Sequence, residues 1–369
     1  MKKAICLLLT LLAWACTQEK VIRLKVANPS AFERSQEMIA LDMEALKGLT
    51  DRASFLVLDA KGEALPYQLT YDNKLIFQVS IPANATADFS IRSGAPAVYD
   101  TLVYGRQYPE RLDDIAWEND RIAFRTYGPA LQASGERAFG YDIWVKKVAD
   151  RVVEDRYYQE LVNGVSYHTD HGNGLDYYSV GPTLGAGASA LLANDSLLYP
   201  YCYQTYEILD NGPLRFTLRL TYHPLQVGED SAVVETRLLS LDAGSQMNKV
   251  SLSYDGLSRK TPLATGIVIH EPSLDYQADA SEGYIAYADP ADPVNGQIYA
   301  GAVFPSGAKE AKVLSGHVLA LNDYTPGTAF TYYWGAGWSQ WGFPASADWF
   351  AYVKAFAQKL KTPLVVSIQ

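Results

Sequence analysis

Apolar and polar residues alternate at every second position through segment after segment of this chain, and a 3.6-residue rhythm is nearly absent. Leu214, Phe216, Leu218, Leu220 and Tyr222 fall on one side of an extended strand, with Arg215, Thr217, Arg219 and Thr221 on the other. Similar strands are predicted at 121–127, 141–146, 233–241, 248–254, 264–270, 297–304 and 328–334. A strand buries its apolar side only against another layer. So many strands without intervening helices predict an all-β chain built round a large antiparallel sandwich. One helix is predicted near the end, capped by Ser346, with Asp348 in its first turn and Trp349, Phe350, Val353, Phe356, Ala357 and Leu360 as its apolar stripe. Pro363 ends it before a last strand at 364–368.

The chain divides by its punctuation. Lys2 and Lys3 precede an apolar run from Ala4 to Leu12 that is too short to span a bilayer, followed by Ala15-Cys16. Residues 1–15 read as a lipoprotein signal peptide, with Cys16 lipidated and 16–20 as a tether; cleavage by an ordinary signal peptidase is the competing reading. The lipid would be the only membrane attachment, on the periplasmic face of the outer membrane or at the cell surface. Residues 21–92 read as a small β-sandwich, 93–105 as a linker marked by Ser93-Gly94-Ala95-Pro96-Ala97, and 106–369 as the large domain. Cys6 leaves with the signal, and a lipidated Cys16 would leave Cys202 without a disulfide partner.

Composition excludes more than it selects. A chain that is 48% hydrophobic and 20% charged is not disordered, and three cysteines do not make a disulfide scaffold. Its net charge of −10 argues against a nucleic-acid partner. Tyrosine dominates the aromatic residues, 26 against 12 Phe and 7 Trp, which suits a β-rich protein with half-exposed aromatic walls. The glycine-rich stretch from Gly185 to Ala190 lacks the Lys-Ser/Thr of a phosphate loop, and there is no Gly-x-Ser-x-Gly elbow and no Cys-x-x-Cys pair.

Two stretches concentrate chemistry. The first, Tyr167-His168-Thr169-Asp170-His171-Gly172-Asn173-Gly174-Leu175-Asp176-Tyr177-Tyr178, holds two of the five histidines inside a glycine-bounded loop. It places several proton-transfer groups within reach of one ligand. If the loop is extended, His168 and Asp170 share a side, which would suit a divalent metal; otherwise no cofactor is implied. The bland reading is a satisfied turn in which Asp170 and Asn173 bond local backbone. The second stretch runs from Pro109 to Pro129, where Trp117 interrupts an acidic run and Arg125 shares a strand face with Ala123 and Tyr127. Either its charges pair with one another at a solvated turn, or Trp117, Arg125 and Tyr127 bind a sugar. Arg215 and Arg219 likewise read either as a solvent face or as an anion-binding wall. His270, alone on a strand end, reads as structural or as a late contributor to a site.

The segments PERLDDIAWENDRIAFRTYGP, GYDIWVKKV, YHTDHGNGLDYYSVGPTLGAGA and NGPLRFTLRLTY, in that order, closely resemble a bacterial family known as domain of unknown function 4861. The resemblance implies a small N-terminal β-domain followed by a supersandwich like that of galactose mutarotases and of the β-domains in many polysaccharide lyases. It implies a place in the polysaccharide-utilisation machinery of Bacteroidetes-type bacteria, with dehydratase chemistry on uronate-containing oligosaccharides associated with relatives. The leading expectation is therefore a carbon–oxygen lyase that carries out β-elimination at a uronic acid. Such a reaction needs a cation on the carboxylate, a base for the C5 proton and an acid for the leaving oxygen. Arg125 is the candidate cation, with Arg215 as substitute. His168 or Tyr167 is the candidate base, His171 or Tyr141 the acid, and Trp144 a stacking wall. A sugar mutarotase or epimerase, or a glycan-binding lipoprotein without catalysis, are the alternatives.

Overall fold

The strand Val21–Ala27 turns Ile22, Leu24 and Val26 inward and Val21, Arg23 and Lys25 outward, as its alternation requires. The computed structural model describes residues 21–46, 55–95, 98–193 and 196–369, so the signal segment and Cys16 lie outside the described residues. Val21–Ala27 pairs with Thr86–Ser93, which pairs in turn with Phe55–Leu58. Facing that sheet is a second one of Arg34–Asp42, Lys74–Ile81 and Tyr67–Leu69. Leu24, Val26, Phe55, Val57, Leu75 and Phe77 belong to the separate core between them.

This small sandwich is not confined to 21–92. Its outermost strand is Val365–Ile368, which pairs antiparallel with Val21–Ala27 and sets Ile368 opposite Leu24. The last strand, expected in the large domain, instead covers an edge of the small one that would otherwise present open backbone donors and acceptors.

The large domain is an all-β supersandwich. One layer is a nine-stranded antiparallel sheet whose centre runs through Arg215–Thr221, Asp230–Asp242, Met247–Asp255, Phe330–Trp338 and Ile298–Val303. Its inner face meets two smaller sheets across one continuous core that includes Trp117, Phe124, Phe216, Leu239, Ile267 and Trp334. One of these is five-stranded, centred on Thr261–Val268. The other is four-stranded: Tyr104–Tyr108, Asp114–Glu118, Ala123–Thr126 and Asp142–Trp144. An isolated bridge between Tyr141 and Gly185 joins the two.

The helix Ser346–Lys361 packs Trp349, Phe350, Val353 and Ala357 on the outer face of the nine-stranded sheet, against Tyr284, Ala286, Tyr299 and Val303. Gly301 makes this close approach possible, because a Cβ there would stand 2.7 Å from the Val353 side chain. Ser346 is the first helical residue rather than the cap. That position is Ala345, whose amide donates to the Asp348 carboxylate at 3.0 Å. Two short helices, Pro129–Ser134 and Val153–Tyr158, escape the sequence pattern because six residues are too few to show a 3.6 period. The strand predicted at 121–127 shortens to Ala123–Thr126, since the Asn119 side chain accepts from the amides of Arg121 and Ile122 and holds them in a turn.

Candidate functional site

Alternation in the four-stranded sheet sends Ile115, Trp117, Phe124 and Ile143 into the sandwich core and Asp114, Glu118, Arg125, Asp142 and Trp144 to the other side. That outer side is not open to water. The helix Val153–Tyr158 lies over it, with Val153, Tyr157 and Tyr167 packed on Ala116, Ala123 and Trp144. Glu118 starts this helix by accepting from the amides of Val152 and Val153, while Lys146 pairs with the same carboxylate at 2.7 Å. Polar groups fall on a buried face here because a second layer of chain has been laid across it.

Arg125 is the centre of the covered face. It stands directly across from Asp142 in the strand register and pairs with it at 2.5 Å, with Asp176 at 2.9 Å and with Asp114 at 3.6 Å. Three carboxylates share this one guanidinium, with Arg111 reaching Asp114 and Arg156 reaching Asp176 only electrostatically. Burial pushes the Asp114 carboxyl up to about 6 against the pull of Arg125, and burial together with Asp142 raises Asp176. Arg125 therefore has its charge already answered by its own chain, contrary to the role of substrate-carboxylate receptor that its strand position suggested. Trp144 is fully buried beneath Tyr167, ring centroids 4.7 Å apart, and its indole donates to Asp142 at 3.2 Å, so it is a support rather than a stacking wall.

The histidine loop is tied down at both ends. Asp170 pairs with Lys147 at 2.5 Å and accepts from the amides of Gly172 and Gly174. Gly174, at φ +96°, passes so near the Val145 carbonyl that any Cβ would collide with it. Asp170 is thus committed to loop closure, leaving His168 without it as a metal-binding companion. Leu175 exchanges both backbone hydrogen bonds with Val145, which brings Asp176 to the edge of the sheet beside Arg125.

Both histidines have a fixed tautomer. His168 presents Nδ1 to the Asp176 carbonyl at 2.8 Å, and a carbonyl only accepts, so Nδ1 carries the proton and Nε2 of the neutral ring is left bare. The ring rests on Tyr167 and is exposed to solvent. His171 presents Nε2 to the Ser166 carbonyl at 3.0 Å, which leaves Nδ1 as the basic nitrogen. Tyr167 is buried and its phenol oxygen accepts from Arg111 Nε at 3.3 Å.

The sequence reading missed Arg156. It is buried on the short helix, and its Nη2 donates to the Val145 carbonyl at 3.0 Å and the Asn173 carbonyl at 2.8 Å. Nη1 is buried without a hydrogen-bond partner, and Arg156 makes no ion pair among the described residues. The acids that reach it electrostatically, Glu118, Asp176 and Asp170, are held by Lys146, Arg125 and Lys147 respectively. Burial pulls its guanidinium down to about 10. Arg156 lines a cavity of about 290 Å³ between the short helix and the loop, together with Tyr167, Thr169, His171 and Asn173. No motif surrounds it in the sequence; the lack of a counter-ion is visible only in three dimensions.

The sequence profile described as "Domain of unknown function (DUF4861)" matches residues 26–366. The chain belongs to that family. A relative from Formosa agariphila, "Uncharacterized protein P7", is 29% identical over 314 residues, 80% of this chain and 78% of the relative. Two solved structures share the fold. A Glycosyl Hydrolase Family 38 protein from Enterococcus faecalis has a TM-score of 0.54 at 9% identity over 95% of this chain, and an α-mannosidase from the same organism 0.53 at 10%. The DUF4861 chain spans about half the length of those two structures, 47% and 46%.

None of the other DUF4861 residues singled out in the sequence lines that cavity. Tyr141 is fully buried inside the sandwich, stacked on Trp334 at 4.2 Å, with its phenol accepting from Arg237. Burial raises its pKa, and its place inside the core keeps the phenol out of reach of any ligand. Trp117 is likewise fully buried and donates to Asn248 at 2.8 Å. Arg215 pairs with Asp242 where the large domain meets the small one. Tyr127 lies against Arg125, which is 5.1 Å from its ring centroid. His270 pairs with Asp289 at 2.8 Å and meets Tyr178 edge-on, and although burial opposes it, Asp289 raises the His270 pKa. Tyr178, raised by burial, also feels Asp289, Asp142 and Tyr127, which ties this dyad electrostatically to the Arg125 cluster.

Proposed function

We propose that this chain acts on uronate-containing oligosaccharides by β-elimination, at the cavity between the short helix and the histidine loop. The observation that carries the reading is Arg156, a buried guanidinium with no counter-ion, on the wall of a cavity it shares with His171 and Tyr167. An uncompensated buried cation is costly unless an anion arrives from outside, and a uronate carboxylate is a planar partner for it. With the carboxylate held by Arg156, the negative charge that develops as C5 loses its proton is stabilised. His171 Nδ1 takes that proton. The electron pair forms the C4–C5 double bond, the C4–O bond breaks, and the leaving oxygen takes a proton from the Tyr167 phenol to depart as water or a sugar alcohol. Arg111 donates to the same phenol oxygen and leaves its hydrogen free to be given away. To close the cycle His171 gives its proton up to solvent and the Tyr167 phenolate takes one back, and the exposed His168, whose ring rests on Tyr167, is the group that would relay it. A lipid on Cys16 would hold this activity at the outer membrane.

The test uses lyase-generated uronate oligosaccharides and follows the conjugated double bond by ultraviolet absorbance and the product by mass. Turnover is expected to fall by roughly 100-fold or more in both Arg156→Ala and His171→Ala. Full turnover by both variants, or substrate whose mass and absorbance never change with the unaltered chain, would overturn the reading.

A further inference from the structure

The small sandwich, the nine-stranded sheet and the C-terminal helix enclose a second cleft, of about 330 Å³, far along the chain from the histidine loop. Six charged residues line it: Arg34, Glu37, Arg215, Asp242, Lys249 and Lys359. Arg34 takes both oxygens of Glu37 at 2.6 Å and also donates to the carbonyls of Thr362 and Lys359, which locks the sandwich to the end of the helix. Arg215 takes both oxygens of Asp242, at 2.5 and 2.8 Å. Each acid is therefore spent on one arginine. Lys249 and Lys359 are left without an ion pair among the described residues, so the cleft carries two uncompensated positive charges in a chain whose net charge is −10. Lys249 is exposed and Lys359 half-buried at the edge of the cleft, and partial desolvation by its walls depresses both ammonium groups, Lys249 further by Arg215. Aromatic rings make up another wall. Phe356 stands edge-on to Tyr333 at 5.3 Å and beside Tyr352, whose phenol oxygen accepts from the Gln246 amide.

Two lysines lining one cleft would by themselves suit any small anion. Two lysines in a cleft that also holds three aromatic rings suit a ring that carries both an anionic group and an apolar face. We propose that this junction cleft is a second binding site, for an anionic saccharide, with Lys249 and Lys359 on its charged group and Tyr352 and Phe356 against its carbon skeleton. The choice of a saccharide rests on the carbohydrate reading of the first site, whereas the charge argument stands without it. Because the cleft spans both domains and the helix, an occupant would also brace the domains against each other.

Calorimetric titration of the full chain separates the two sites. The titrants are a uronate oligosaccharide, the same oligosaccharide with its carboxyl groups reduced, and inorganic sulfate. In Arg156→Ala protein, which disables the first site, the uronate oligosaccharide is expected still to bind once. Adding Lys249→Ala and Lys359→Ala is expected to weaken that remaining binding roughly tenfold per lysine, with Lys249→Arg and Lys359→Arg retaining it. Binding that is unchanged by both alanine substitutions overturns the proposal, and so does its complete loss in Arg156→Ala alone. Sulfate that binds as tightly as the oligosaccharide, or a reduced oligosaccharide that binds as well as the charged one, overturns the saccharide assignment. Failure of the first site shows separately, as turnover that Arg156→Ala does not change.

Discussion

Arg237 and Arg156 are both buried, at 1% and 5% exposure, yet only one of them has an anion. Arg237 sits inside the sandwich on the long strand Asp230–Asp242, two residues from Glu235 on the same inward face, and the two side chains pair directly. Tyr141 and Tyr222 lie over its guanidinium, and the Ser189 carbonyl accepts from it. The strand delivers the cation and its counter-ion together. Arg156 sits on a six-residue helix under an irregular loop, fixed by backbone carbonyls and a single asparagine, with every nearby acid already taken. The difference teaches that burial by itself does not mark a functional arginine. What marks it is burial without charge compensation, next to space.

The contrast breaks first, and with the largest effect, at Arg237. Arg237→Met leaves Glu235 buried without its cation, and is expected to cost roughly 3–5 kcal/mol of stability in denaturant unfolding. Replacing Glu235 by Leu in the same chain is expected to recover most of that loss, because an apolar pair orphans no charge. A loss under 1 kcal/mol in the single variant would mean that the pair does not govern the core.

Arg156→Met tests the other half. It removes hydrogen bonds to carbonyls but strands no carboxylate, so its stability cost is expected near 1–2 kcal/mol, well below that of Arg237→Met. Its effect belongs in binding and turnover of the uronate oligosaccharide. If both arginine variants unfold the chain equally, the distinction between them fails.

Asp114 sharpens the comparison through pH. Its folded carboxyl is pushed up to about 6 from an ordinary value of 3.8, so between those limits the folded chain binds more protons than the unfolded one. That contribution is fully present below 3.8 and is lost as the pH rises through about 6. Asp114→Asn is expected to flatten this part of the stability–pH curve and to gain on the order of 1–3 kcal/mol at neutral pH. An unchanged slope would show that the folded Asp114 carboxyl is not raised.

How far the sequence reaches follows from the same two regions. Period-two patterning in Leu214–Tyr222 and its companions is a local signal, and the strands appear close to where it places them, although 121–127 and 141–146 shorten to Ala123–Thr126 and Asp142–Trp144. The pairing of Val365–Ile368 with Val21–Ala27 is not local, and nothing in either segment names the other. The strand face of Arg125 was legible from Ala123 and Tyr127, but the three aspartates that answer its charge come from three separate segments. Tyr141 and Trp117 looked available because a strand pattern does not say which face the second layer covers. The histidine loop was legible because glycines and proton-transfer groups crowd together there. Arg156 was not, since a missing counter-ion leaves no trace in composition or spacing.

The smallest expected effect separates the loop from the cluster beneath it. Asp170 is depressed where Asp114 is raised, because hydrogen bonds from Lys147, Gly174 and Gly172 outweigh its burial. Its contribution is present above its unfolded value and is lost as the pH falls through the lower folded one, the opposite sense to Asp114. Asp170 is partly exposed, so solvent screening reduces what the pair with Lys147 can contribute, and Asp170→Asn is expected to cost about 0.5–1 kcal/mol at neutral pH. It should also loosen His171, whose partner Ser166 belongs to the same closed loop, and so reduce turnover more than stability. Hydrogen exchange at the Gly172 and Gly174 amides checks the first step directly, since both donate to this carboxylate. Unchanged exchange there would mean that the glycines hold the loop without it, and that the histidines owe their placement to backbone alone.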